Sequence, residues 1–204
     1  MIRKLILPCA ALVLAAPLAH AKTTPVKESV PVSKGQMTDS RDGTIYNTVT
    51  IGSQRWMAEN LDYRTGASWC YGKKAANCAK YGRLYDWETA RSACPRGWHL
   101  PSDREWTQLE DLIGQGANAK VGEKLKAASP NWDGTDAYFF SVLPAGYRSD
   151  DESSVGIRNV VYFWSATADR DGDAWSRQFY LTDASVYSGS VNETRGLSVR
   201  CLEN

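Results

Sequence analysis

The sequence predicts an α+β domain, with short helices in the N-terminal half, an antiparallel sheet in the C-terminal half, and disulfide staples. Three observations predict it. Helix start signals and helical apolar spacing are confined to the residues before Asn131. Beyond that point the apolar segments are aromatic and β-branched, separated by Gly and Asp turns, which is the pattern of strands. Four cysteines, Cys70, Cys78, Cys94 and Cys201, remain once an N-terminal leader is set aside, an even number suited to an exported chain.

Residues 1–21 read as that leader. Arg3 and Lys4 precede an apolar run from Leu5 through Leu18, and Ala19-His20-Ala21 supplies the small-residue pattern of a secretory cleavage site, so the mature chain is expected to begin near Lys22. The run is too short for a transmembrane span, and no later stretch reaches about 18 uninterrupted apolar residues. Cys9 lies near the start of the run, the wrong place for a lipid anchor, and leaves with the leader. Losing Arg3 and Lys4 takes the basic count from 24 to 22 against 23 acidic residues, a net charge of about −1. That balance excludes a basic field for nucleic acid or anionic lipid. Residues 22–37 carry prolines and charges with few bulky side chains and read as a flexible lead-in. The domain is expected over 38–204, with eight Trp and ten Tyr supplying core surface.

Within it, Asp39 to Tyr63 alternates like a hairpin, with Tyr46, Val49 and Ile51 before the Gly52-Ser53 punctuation and Trp56-Met57 after it. Asp86 caps a short helix through Ala93. Pro101 keeps Trp98 to Leu100 extended, and Ser102 with Glu105 forms a capping box ahead of Trp106, Leu109, Leu112 and Ile113 on one helical face. Lys120 to Ala128 offers a further helix around Val121 and Leu125. Tyr138 to Leu143, Val160 to Ser165, Trp175 to Leu181, Ala184 to Tyr187 and Leu197 to Cys201 read as strands.

The residues that could carry chemistry are few. His99 is the one histidine outside the leader, and its place between Trp98 and Leu100 suits a structural hydrogen-bonding role better than a triad or a zinc site. Glu105 is accounted for by capping, Glu110 by the solvent face of its helix, and Glu59 by a turn. Asp169-Arg-Asp171-Gly-Asp173 sets three carboxylates at alternate positions around a glycine, a spacing that fits a hairpin turn first and a calcium loop second. Arg170 and Arg177 are near enough in sequence to neutralise them. Trp69 and Trp132 sit beside loop residues, a placement that fits packing under a loop first and, second, an exposed platform for a sugar ring.

Several blocks taken together resemble a known family. Thr38-Asp-Ser-Arg-Asp-Gly-Thr-Ile-Tyr46, Thr48-Val-Thr-Ile-Gly-Ser-Gln-Arg-Trp-Met-Ala-Glu-Asn-Leu-Asp-Tyr63, Tyr81-Gly-Arg-Leu-Tyr-Asp-Trp87, Cys94-Pro-Arg-Gly-Trp-His-Leu-Pro-Ser-Asp-Arg-Glu-Trp106, Leu143-Pro-Ala-Gly-Tyr-Arg148, Phe163-Trp-Ser-Ala-Thr167 and Gly196-Leu-Ser-Val-Arg-Cys201 are similar, in that order, to the Fibrobacter succinogenes major paralogous domain family. The resemblance implies a bacterial secreted or surface domain with no assigned reaction. A looser similarity to the C-type lectin fold rests on the cysteine before Gly97-Trp-His-Leu-Pro-Ser102, the later Trp164-Ser165 and the closing cysteine strand. Neither a Glu-Pro-Asn nor a Trp-Asn-Asp triplet occurs, so the calcium-bridged sugar site of lectins transfers to no residue here.

Of the three disulfide pairings open to four cysteines, we expect Cys70 with Cys78, which bracket a short loop, and Cys94 with Cys201, a long bridge that the lectin-like resemblance also implies. The functional expectation is an exported, non-catalytic binding or adhesion domain for a glycan or a cell-surface protein, without a cofactor unless calcium is bound. The alternative is a secreted carboxylate-based glycan-active enzyme or a relative of the formylglycine-generating fold; the latter chemistry needs reactive cysteines that disulfides would not leave free.

Overall fold

The computed structural model describes residues 30–115 and 120–204, so the leader expected at 1–21 lies outside the described residues. In chain order the strands and helices begin with β1 (Val32–Thr38), β2 (Ile45–Ile51), β3 (Gln54–Met57) and β4 (Ser68–Trp69). Then come α1 (Ala75–Tyr81), β5 (Leu84–Tyr85), α2 (Trp87–Ala93), β6 (Trp98–His99), α3 (Asp103–Ile113) and α4 (Val121–Leu125). The remainder is strand: β7 (Tyr147–Arg148), β8 (Ser154–Val155), β9 (Val160–Ala168), β10 (Asp173–Tyr180), β11 (Tyr187–Asn192), β12 (Leu197–Ser198) and β13 (Leu202–Glu203). The fold is α+β, as the order of signals predicts.

One sheet runs β1-β2-β3-β13-β6, a second β11-β10-β9-β12-β5-β4, and β7 pairs with β8 alone. All pairs of named strands are antiparallel except β12 with β9. The expected hairpin is β2–β3, with Ile51 opposite Gln54 and Gly52 at φ 63 in the connecting turn. A Cβ on Gly52 would come within 2.5 Å of Leu112 Cδ2, so the turn also lets α3 pack closely. Asp86 caps α2 by accepting from Thr89 N, and the Ser102–Glu105 capping box starts α3.

Several segments differ from expectation. The lead-in does not extend to residue 37: from Val32 the chain is β1, an edge strand held by its backbone ladder to β2 rather than by burial, which is why its polar composition hides it. The Lys120–Ala128 helix shortens to α4, because Ala127 N donates to Val142 O and Val142 N to Leu125 O, drawing the backbone into cross-chain bonds. Tyr138–Leu143 is not a strand; Phe139 (φ 55) and Ser141 (φ 53) break the extended run. The strand expected at Ala184–Tyr187 starts at Tyr187 and runs to Asn192; of Leu197–Cys201 only Leu197–Ser198 is strand, and the next strand, Leu202–Glu203, begins past Cys201 in the other sheet.

Two apolar clusters fill the interior. Trp56, Trp106, Phe140, Phe163 and Phe179 centre one, beneath α3; Tyr85, Trp87, Trp98, Trp164 and Leu197 centre the other, beneath α2. Cys70 pairs with Cys78, and Cys94 with Cys201. Arg177 fastens α3 to β10: its buried guanidinium bonds Asp103, Glu110, Thr107 and Ser188, so Glu110 is an ion-pair partner and not a solvent-face residue.

Glu105 makes the capping box titratable. Burial alone would raise its pKa, but hydrogen bonds from Ser102 N and Oγ, and the His99 ring, outweigh burial and hold it below the ordinary 4.5. A carboxylate whose folded pKa is depressed contributes its stability above the unfolded value and loses it as pH falls through the folded one. Glu105→Gln is therefore expected to be less stable than wild type near neutrality, with the gap closing as pH falls below the ordinary 4.5. Urea titrations at neutral pH and at about pH 3 check this; a gap that persists in acid would show a packing effect instead.

Candidate functional site

Where β1 lies against β2 and the loop after α4 folds over them, the surface opens into a cleft of about 430 Å³. Lys34, Gly35, Asn47 and Thr48 line it from the two strands, Ala58 and Glu59 from the end of β3, and Asp136, Phe139 and Ser141 from the loop. Register sets the floor. Gly35 stands opposite Thr48 on β2, and a Cβ there would meet Thr48 Oγ1 at 3.0 Å, so glycine keeps this corner open.

Glu59 is held by one oxygen. Its Oε2 accepts from Asn47 N at 2.6 Å, while Oε1 has no hydrogen-bond partner among the described residues, and the residue lines the cleft. Asp136, by contrast, is committed to the loop: Ser141 N donates to its Oδ1 (2.8 Å) and Ser141 Oγ to its Oδ2 (2.6 Å). Asp136, Phe139 and Ser141 all take positive φ (48°, 55° and 53°), a conformation costing about 1 kcal/mol or more per non-glycine residue. The consequence is the placement of Phe139, 44% exposed, with Lys34 Nζ 3.5 Å from its ring centroid.

Arg200, wholly buried, holds the loop from below. It donates to the carbonyl oxygens of Met57 (3.3 Å), Phe140 and Ser141 (3.5 Å) and to Asn60 Oδ1 (2.7 Å), and its guanidinium lies 4.7 Å from the Phe140 ring centroid. Burial pushes its pKa down to about 9, with the charges of Glu59 and Asp136 working in the other direction. The cleft thus has a fixed back wall, an exposed ring, an ammonium and one carboxylate oxygen free to accept from a ligand.

The residues singled out in the sequence are placed elsewhere. Trp132 is only 6% exposed and belongs to the core cluster under α3, with Lys126 Nζ 5.1 Å from its ring, so it packs inward and offers no exposed platform. Trp69 is half-buried on β4 beneath the Arg148 guanidinium, 4.1 Å from its ring centroid. The two indoles sit on different elements, Trp69 on β4 and Trp132 in the loop after α4. Asp169, Asp171 and Asp173 lie at the β9–β10 turn, closed by Asp169 N to Asp173 O (2.9 Å) and Asp173 N to Arg170 O (2.8 Å). Among the described residues no group of three His, Cys, Asp or Glu side chains is arranged to hold a metal ion. Arg177 does not neutralise this turn, being spent on Asp103 and Glu110. His99 bonds Asn204 Oδ1 (2.7 Å) and Glu105 Oε1 (3.0 Å), a structural role.

The family model of the Fibrobacter succinogenes major domain matches residues 49–203. The chain belongs to the Fibrobacter succinogenes major domain family. No curated protein and no solved structure matches it. The Fibrobacter succinogenes major domain span contains Glu59, Asn60, Phe139 and Arg200, whereas Lys34, Gly35, Asn47 and Thr48 precede it, so the cleft joins the matched domain to a strand outside that span. Sequence reading misses Phe139 because its signal is conformational: nothing in Tyr138-Phe-Phe-Ser141 marks positive φ, which glycine or asparagine ordinarily announces.

Proposed function

We propose that this domain is an exported, non-catalytic binding or adhesion module, of C-type-lectin-like fold, that takes a glycan in the cleft beside Phe139. The observation that carries this is the exposed Phe139 ring, held out by a strained loop next to the free Glu59 oxygen. An apolar ring face with a few convergent acceptors and donors matches a sugar, which presents C–H faces and hydroxyls together. The lectin-like reading is supported by the long Cys94–Cys201 bridge, the capped α3 that follows Cys94 and Trp164-Ser165 on the central β9. Export is supported by the two disulfides; no helix among the described residues is long and apolar enough to cross a membrane. A binding role is favoured over catalysis because every cysteine among the described residues is in a disulfide, His99 is held by structural partners and Asp136 is committed to Ser141.

Affinity electrophoresis of the mature protein through gels containing neutral polysaccharides tests the proposal. Retardation by at least one polymer is expected. Phe139→Ala should weaken it by about 2 kcal/mol, roughly thirtyfold, and Glu59→Gln should weaken it in the same direction. Wild-type mobility unchanged by every polymer, or variants retarded like wild type, would overturn it.

A further inference from the structure

On a separate face, α1 and the turn before β9 enclose a groove, and we infer that it binds an acidic polysaccharide whose uronic-acid carboxylates pair with Lys74, Lys80 and Arg158. The groove is two clefts in series. One, of about 620 Å³, is lined by Tyr71, Lys74, Asn77 and Ile157 among others; the next, of about 480 Å³, by Pro130, Asn131, Trp132 and Leu181 among others. Lys80, Tyr81 and Arg158 line both, so the clefts run into one another, and each falls in the size range of ligand sites. An elongated ligand fits this shape better than a single small anion.

Charge argues for an anion. Lys74, Lys80 and Arg158 are exposed and make no ion pair among the described residues. Nearby cations are neutralised: Arg148 pairs with Glu152, Arg195 with Asp150, and Lys126 with Asp133, the one carboxylate among the described residues that lines the groove. Three like charges without counter-charge repel one another until an anion enters.

Backbone strain argues the same way. Arg158 has φ 72, fixed by its N–H donating to Pro144 O (2.9 Å), in a turn where Gly156 also has φ 77. Glycine would adopt this conformation without cost, so the arginine side chain is held at the groove against a local preference, the signature of a residue placed for a contact. A guanidinium there can grip a carboxylate with two parallel hydrogen bonds, while the ammonium groups act as point charges. Carbohydrate is favoured over nucleic acid because two of the three aromatic rings offer little free face for bases, Tyr81 and Trp132 being 6% exposed each, and the third, Tyr71, is half-buried with its hydroxyl accepting from Ile157 N. Asn131 and the apolar edges of Pro130 and Ile157 suit hydroxyls and sugar C–H groups instead.

The test is binding of polygalacturonate to the mature protein at low ionic strength, by microscale thermophoresis, against neutral dextran and single-stranded RNA. Wild type should prefer polygalacturonate over both, with affinity falling as salt rises. The triple variant Lys74→Gln, Lys80→Gln, Arg158→Gln should bind at least about tenfold more weakly, whereas Arg96→Gln, Arg104→Gln, Arg170→Gln, which removes the same charge elsewhere, should stay within about twofold. Arg158→Gly separates structure from binding: relief of strain should raise the melting temperature while affinity falls. Phe139→Ala should leave polygalacturonate binding unchanged, so failure here and failure of the Phe139 cleft are distinguishable. Equal losses in the two triple variants, preference for RNA, binding no tighter than to dextran, or wild-type affinity in Arg158→Gly would each overturn the inference.

Discussion

Trp106→Ala is expected to lower the free energy of unfolding by about 3 to 5 kcal/mol, a large share of the roughly 5 to 15 kcal/mol typical of a domain. Trp106 is fully buried on the inner face of α3, its ring centroid 4.7 Å from that of Trp56, 5.7 Å from Phe163 and 6.1 Å from Phe140. Those three rings belong to β3, β9 and the loop beneath Phe139, so the indole is where helix, both sheets and the cleft wall meet. Truncation leaves a cavity that rings fixed on separate elements cannot collapse to fill. The indole N–H finds no acceptor among the described residues, so Trp106→Phe, which keeps a ring and removes that polar atom, should cost much less. Urea unfolding followed by far-UV circular dichroism measures both. A loss below about 1 kcal/mol for the alanine variant would contradict the packing.

Removing the long disulfide is the second large effect. Chain-entropy reasoning gives roughly 4.8 kcal/mol for the bridge of sequence separation 107 between Cys94 and Cys201, against roughly 2.6 kcal/mol for the short Cys70–Cys78 loop. The double variant Cys94→Ala, Cys201→Ala should therefore melt well below Cys70→Ala, Cys78→Ala. Calorimetry of the two variants beside wild type decides it, and the reverse order would mean that local geometry, not loop length, governs the bridges. The short bridge has a different importance: it spans the approach to α1, whose Lys80 and Tyr81 line the acidic-polysaccharide groove. Its loss is expected to weaken polygalacturonate binding more than its effect on melting would suggest.

Local signals are legible in the sequence. Ser102 and Glu105 lie three residues apart and form their capping box with atoms of one turn, so spacing alone identifies it; Asp86 and the Gly52-Ser53 turn are of the same kind. The helical spacing of Trp106, Leu109 and Ile113 likewise reports burial directly. What escapes depends on partners far along the chain. Val32–Thr38 has no apolar face of its own and is a strand because β2 is beside it. Arg177 is 67 residues from Glu110 and 74 from Asp103, and neither carboxylate advertises that partnership. The cleft is illegible for both reasons together, since one wall is that hidden strand and the other a loop whose positive φ values fall on Asp136, Phe139 and Ser141. Trp132 is ambiguous because a loop indole beside Asn131 and Asp133 looks the same in sequence whether it points out or in.

β12 sits between β9 and β5, and β13 between β3 and β6, so residues 197–203 occupy interior positions in both sheets. For a chain that emerges from its N-terminus, this order has a kinetic meaning. The hairpin β2–β3 and the β9–β10–β11 meander can form as they appear, but neither sheet can close until the latest-made strands arrive to fill the gaps. The contacts that complete the domain span more than a hundred residues, as Leu202 opposite Trp56 does, and long-range pairings of this kind are slow to form. Closing both sheets therefore waits on one short segment, and folding is expected to commit to the native state in a single late step, when β12 and β13 dock into their gaps.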